Sequence, residues 1–184
     1  MRFKALITDL DGTLVDLRIN WDYLRVKVRE LLKIKHPLKP LGPSLLQVKA
    51  PEHLLKRAFE IIENEEIKAS YRASKDERLI LFFKELKSLN VKIGLVTLQG
   101  IYSTFNTLVR LGILDFLDVI VTREFSLLRY EQLSEAIRML HVTFKDVVFI
   151  GDTIMDKEVG SKIGCHTIIV RGVGEIFKVL KLFR

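Results

Sequence analysis

The chain has 184 residues, 48% of them hydrophobic, which is long enough for one substantial core or for one core with a modest insertion. Its one cysteine, Cys165, excludes an intrachain disulfide and reads as a small buried hydrophobe beside Gly164. No stretch of about 18 uncharged apolar residues occurs, so a soluble cytoplasmic protein with no membrane partner is expected. The net charge of +7 is concentrated, because residues 17–75 hold 13 basic and 7 acidic side chains while the rest of the chain is nearly balanced.

In chain order, Phe3 to Asp9 (FKALITD) is a short apolar run ending in polar residues, the pattern of a buried parallel strand reaching the sheet edge. From about Asp16 to Ala73 the strand pattern stops. Apolar residues recur at helical spacing at Trp21, Leu24, Val28, Leu31 and Leu32, then at Leu54, Leu55, Ala58, Phe59 and Ile62. Pro37, Pro40, Gly42, Pro43 and Pro51 punctuate the connection. Residues 16–73 therefore predict a small helical insertion in a main domain made of residues 1–15 and 74–184. Ser74 with Glu77 fits a capping box for the helix carrying Leu79, Phe82, Phe83, Leu86 and Leu89. Strand patterns at Val91–Thr97, Asp118–Thr122, Asp146–Asp152 and His166–Val170 then alternate with helical patterns at Phe105, Leu108, Val109 and Leu111 and at Leu133, Ile137 and Leu140. Alternation of this kind implies a parallel sheet covered by helices on both faces, with ligands at the carboxyl ends of the strands.

Two of those strand ends are acidic. The first runs into Asp9-Leu10-Asp11-Gly12-Thr13-Leu14-Val15, where two carboxylates stand two residues apart before a glycine that permits a tight turn. Near a phosphate dianion each carboxylate would feel repulsion of about 4 kcal/mol per unit charge at ~4 Å in an effective dielectric near 20, so a cation is required. The fourth strand ends in Gly151-Asp152-Thr153-Ile154-Met155-Asp156, whose acids are spaced so that one helical turn could place both on one face. Such oxygen ligands suit magnesium. His36, His53, His141 and His166 have no metal-ligand spacing and are given no catalytic role.

DLDGTLV, then Thr97 in LVTLQG, then GDTIMD occur in an order and in strand contexts that resemble the haloacid dehalogenase superfamily over essentially the whole chain. Residues 16–73 take the place of that family's helical cap. The resemblance implies an α/β, Rossmann-like, doubly wound parallel sheet of order 5-4-1-2-3. It also implies a magnesium-dependent phosphatase acting on a small phosphorylated metabolite, similar to a phosphoglycolate phosphatase. Asp9 would be the nucleophile, Asp11 the general acid and base, and Thr97 a hydroxyl donor to the phosphoryl oxygens. Asp9 and Asp11 would share the Mg2+ site with Asp152 and Asp156, the latter two bound directly or through water. The family's lysine after the third strand is missing from TREFSLLRYEQL. Arg129 is the expected substitute, with Arg123 as the alternative, although Arg123 could instead pair with Glu124 or Asp118 at the surface.

Residues 18–49 carry eight Lys or Arg against Asp22 and Glu30. A small anionic phosphorylated substrate is therefore expected, with negative charge favoured beyond the reacting phosphate. A phosphotransferase or mutase could use the same fold, but no cap residue suited to a mutase's proton relay can be identified. A basic regulatory or nucleic-acid-binding protein with weakened catalysis is the competing reading. The missing lysine and the charged insertion favour it and the four intact aspartates oppose it, so nucleic acid is not the expected partner. Oligomeric state is not legible.

Overall fold

The computed structural model describes residues 3–184. Strand β1 (Ala5–Thr8) is followed by α1 (Trp21–Leu32), the single turn α2 (Leu41–Leu45), and α3 (Glu52–Ser70). The chain then alternates through α4 (Glu77–Ser88), β2 (Lys92–Val96), α5 (Ile101–Leu111), β3 (Val119–Val121), α6 (Arg129–Met139), β4 (Val147–Gly151), α7 (Ile154–Ile163), β5 (His166–Ile169) and the short α8 (Val173–Ile176). The sheet is wholly parallel with order β3-β2-β1-β4-β5, which is the expected order read from the other edge.

Parallel strands need crossovers, and the crossover helices cover both faces, so strand residues are apolar whichever way they point. Leu6, Ile93, Leu95, Val148 and Ile150 face one layer with Phe82, Phe83 and Leu86 of α4, Leu108 of α5, and Ile176 and Phe183 from the C-terminal segment. Their neighbours Ala5, Ile7, Val96, Val147 and Phe149 face the other layer with Leu133, Ala136, Ile137 and Leu140 of α6. Ile7 sits opposite Gly94 on one side and Phe149 on the other. Because β1 lies between β2 and β4, the residues following these three strands, Asp9, Thr97 and Asp152, emerge side by side at one edge of the sheet.

The helices between β1 and α4 enclose an apolar cluster of their own, formed by Leu24, Val28 and Leu32 of α1, Leu38, Leu41 and Leu45, and Ala58 and Ile62 of α3. Helix α3 runs eight residues beyond the last apolar position read from sequence, Ile62, and packs against α1 and α5. Helix α4 does not begin at the Ser74–Glu77 box. Its cap is Asp76, whose Oδ1 accepts the Arg78 amide at 2.9 Å while Oδ2 pairs with the Arg78 guanidinium at 3.0 Å. Asp76 satisfies an orphan backbone donor and gains a charge partner, whereas a serine two residues earlier offers only the first. No helix among the described residues is long and apolar enough to cross a membrane.

Candidate functional site

The loop after β1 is built around Gly12. Its φ of +87° is in the left-handed region, and its N–H donates to the Val15 carbonyl at 2.7 Å. A Cβ at Gly12 would lie 2.2 Å from Oδ2 of Asp152, so the absence of a side chain allows the loop and the Asp152 carboxylate to approach each other. Asp11 is held by the same loop, its Oδ1 accepting the Leu17 amide at 2.8 Å. Asp9, Asp11, Gly12, Thr97, Arg129 and Asp152 all line one cavity of about 490 Å³, whose opposite walls come from α1–α3 and include Trp21, Phe59 and Ile62. Trp21 both packs on the insertion's cluster and lines this cavity.

Arg129, the first residue of α6, is 6% exposed and reaches the end of β1. Its Nη2 donates to Oδ1 of Asp9 at 2.6 Å, its Nη1 to the Val96 carbonyl at 2.8 Å, and its Nε lies 3.1 Å from Oδ1 of Asp156. One guanidinium thus bridges the two acidic strand ends and anchors itself on β2, which a point-charge ammonium could not do at once. Asp156 itself is fully buried, with Oδ2 accepting from both the amide and the hydroxyl of Thr153 in a capping box that opens α7. It does not line the cavity. Of the expected metal ligands, Asp156 thus stands behind the cavity wall, its Oδ2 held by Thr153 and its Oδ1 within ion-pair distance of Arg129 but without a hydrogen bond.

Thr97 is positioned from several sides. Its amide donates to the Val121 carbonyl at 2.9 Å, its carbonyl accepts from Nε2 of Gln132 at 2.7 Å, and its Oγ1 accepts the Gln99 amide at 3.2 Å. Gln132, which sequence reasoning missed, also accepts from Nη1 of Arg129 at 3.3 Å and donates to the Ser126 carbonyl at 2.8 Å. It stands three residues after Arg129 on α6, one helical turn along the same face, which was the available signal.

Arg123 does not pair with Glu124 or Asp118. Its Nη1 donates to both carboxylate oxygens of the buried Glu66 on α3, each at 2.8 Å, while Glu66 also accepts the Gly100 amide at 3.1 Å. Glu124 instead accepts from the Thr122 hydroxyl and the Ile101 amide, and Asp118 from Lys87. A buried carboxylate attracts the cation that can be buried with it, and the exposed acids leave Arg123 free to be that cation. Glu66 went unnoticed within a run of acids, although it continues the apolar stripe of Ala58 and Ile62 at helical spacing.

Crowded carboxylates, two of them in contact with Arg129, dominate the electrostatics. Burial pushes Asp9 up to about 7, against the pull of Arg129 and with the repulsion of Asp156 and Asp152 added. Burial pushes Asp11 up to about 6, opposed by its hydrogen bond from Leu17, and Asp152 also lies above the ordinary carboxylate range through burial and the nearby Asp156. Such crowding is offset when a cation joins the group. Asp9, Asp11 and Asp152 offer the hard oxygen donors that magnesium takes, and they line the same cavity. Among the described residues no group of three or more acidic, histidine or cysteine side chains is arranged to hold a metal ion between them. Of the eight basic residues between 18 and 49, only Arg18 and Arg25 line the cavity.

Residues 32–170 match a family model described as haloacid dehalogenase-like hydrolase. The first acidic motif precedes the matched stretch, so its place in the site rests on the geometry above. No curated protein sequence matches the chain. Among solved structures, a haloacid dehalogenase-like hydrolase from Streptococcus pneumoniae is similar with a TM-score of 0.68 at 21% identity, over 98% of this chain and 90% of that one. A candidate phosphoglycolate phosphatase from Lactobacillus plantarum has a TM-score of 0.65 at 17% identity over 100% of both chains. A beta-phosphoglucomutase from Clostridium difficile has a TM-score of 0.68 at 20% identity, over 91% and 84%. At these identities the likeness is one of fold. With the parallel sheet in its expected order and most of the sequence matching the family model, the chain belongs to the haloacid dehalogenase-like hydrolases.

Proposed function

We propose that this protein is a magnesium-dependent phosphatase that hydrolyses a small phosphate monoester through an aspartyl-phosphate on Asp9. The observation that carries the reading is the buried Arg129–Asp9 contact of 2.6 Å in a cavity also lined by Asp11, Thr97 and Asp152. An oxygen nucleophile beside a fixed cation, with a second carboxyl group two residues away, is the equipment of a two-step phosphoryl transfer.

In the first step an Asp9 carboxylate oxygen attacks phosphorus, and the bond to the leaving alkoxide breaks as Asp11 gives it a proton. In the second, Asp11 takes a proton from water, which attacks the aspartyl phosphate and regenerates Asp9. The raised position of Asp11, about 6, suits a group that must be protonated in one step and ionised in the next. Thr97 donates to the phosphoryl oxygens, and Arg129 holds Asp9 in place while opposing the charge of the transferred group. Asp9, Asp11 and Asp152 would hold magnesium, which when bound supplies charge neutralisation for the phosphoryl oxygens. The α1–α3 segment, residues 16–73, would be the cap that limits water access and selects the substrate.

Phosphate release from a panel of monoesters tests the reading. Wild-type protein should turn over at least one ester with magnesium and none with excess chelator. Asp9→Asn should lose turnover and keep its fold, and an Asp9→Asn variant as active as wild type would remove Asp9 from the mechanism.

A further inference from the structure

The cavity holds a polar group that the phosphoryl chemistry leaves unused. Gln99 is 3% exposed and lines the cavity, yet neither Oε1 nor Nε2 of its side chain has a hydrogen-bond partner within the protein. An unpaired buried amide is costly, and such groups cluster where a ligand completes them. The backbone of Gln99 is fixed on both sides: its N–H donates to Thr97 Oγ1 at 3.2 Å and its carbonyl accepts the Arg123 amide at 3.2 Å.

The cation beside Gln99 is already spent. Both oxygens of Glu66 accept from Arg123 Nη1, and a Cβ on Gly100 would lie 2.5 Å from Arg123 Nη2, so the guanidinium is neutralised and wedged in place. Arg25, the other half-buried cation on the wall, is held by Asp22 at 2.7 Å. A second anionic group on the substrate would thus enter a subsite containing the Glu66–Arg123 pair and no free buried cation, Arg18 at the cavity wall being exposed to solvent beside Asp16.

We propose that Gln99 is the specificity-determining residue of this site, its side-chain amide reading a hydroxyl on a neutral leaving group of the phosphate ester. The proposal rests on the phosphatase reading. A hydroxyl both donates and accepts, so it can complete Oε1 and Nε2 together or through a hydroxyl pair. A carboxylate can satisfy only Nε2, is repelled by Oε1, and finds in the Glu66–Arg123 pair no net positive charge to offset this. The Glu66–Arg123 pair is a positioning device, tying α3 to the segment that presents Gln99.

The test compares three six-carbon esters, sorbitol 6-phosphate, hexyl phosphate and 6-phosphogluconate, in wild type, Gln99→Leu and Gln99→Asn. Wild type should favour the polyol ester in kcat/KM by about tenfold or more over both others, the range in which a site built for a hydroxyl rejects an analogue without one. Gln99→Leu should bring the polyol-to-hexyl ratio towards one, and Gln99→Asn, whose amide is withdrawn by one methylene, should fall between. Calorimetric affinities of the same esters for Asp9→Asn should follow the same order. A wild-type ratio near one, a preference for 6-phosphogluconate, or a ratio unchanged in Gln99→Leu would overturn the proposal. If Gln99→Leu fails to fold, the Gln99→Asn ratio decides by the same criterion. If no ester is turned over by wild type, the phosphatase reading fails while the affinity order still decides the role of Gln99.

Discussion

Replacing Arg129 with alanine removes the one cation shared by Asp9 and Asp156, whose carboxylates are 5% and 0% exposed. Two costs follow. Leaving buried charge unpaired destabilises a fold by about 3–5 kcal/mol, and part of that is recovered if a carboxylate takes up a proton. Burial already holds Asp9 near 7 with Arg129 pulling it down, so loss of the guanidinium moves it further up and leaves more of the nucleophile protonated at neutral pH. Together with lost stabilisation of the transferred phosphoryl group, kcat/KM should fall about a hundredfold or more, roughly 2.7 kcal/mol. Arg129→Lys should recover only part, because one ammonium cannot reach Asp9, Asp156 and the Val96 carbonyl together. Phosphate release from an aryl phosphate, with urea denaturation of each variant, measures both costs. Arg129→Ala with near wild-type kcat/KM and unchanged stability would refute the reasoning. A mild effect there beside a severe one in Arg123→Ala would transfer the role to Arg123.

Gly12→Ala places a methyl group at a φ of +87° and 2.2 Å from Asp152, so activity should be largely lost and urea stability reduced by about 1–3 kcal/mol; an active, stable variant would show that the loop can move aside. Glu66 is pushed from an ordinary 4.5 up to about 7 by burial, against the pull of Arg123, and Asp9 and Asp11 are shifted in the same direction. Native protein therefore binds these protons more tightly than unfolded chain, a contribution to stability that is complete only below the ordinary values of 3.8 for the aspartates and 4.5 for Glu66 and is lost as pH rises through about 6 for Asp11 and about 7 for Asp9 and Glu66. In chelator-containing buffer, Tm should fall by about 5 °C between pH 5 and pH 8, and a flat or rising Tm would contradict the shifts. Cys165 is buried, and burial pushes its thiol up to about 11, so a thiol reagent at pH 8 should label it only after unfolding. Rapid labelling of the folded chain would show that the residue is exposed.

The sheet and its chemistry-bearing ends were legible because their signals are local. A strand buried on both faces is a continuous apolar run, so Phe3–Asp9 and Asp146–Asp152 announced β1 and β4 and put Asp9 and Asp152 beyond strands that lie side by side. Arg129 could be nominated because its place at the start of α6 follows from the pattern of Leu133, Ile137 and Leu140. What the chain could not reveal locally were choices among partners distant in sequence. Glu66 and Arg123 are 57 residues apart, and nothing near either indicates that burial between α3 and the β3–α6 segment unites them rather than the adjacent Glu124. The spacing of Asp156 after Asp152 is visible in the sequence, but only packing at α7 shows its Oδ2 held by Thr153 and its Oδ1 beside Arg129. The basic insertion suggested an anionic substrate because charge can be counted without knowing direction, whereas only the packing of α1–α3 decides which cations face the cavity. Hydrophobic periodicity is a property of neighbouring residues and survives in the sequence, while the pairing of buried charges is settled by desolvation, which exists only once the chain has closed around them.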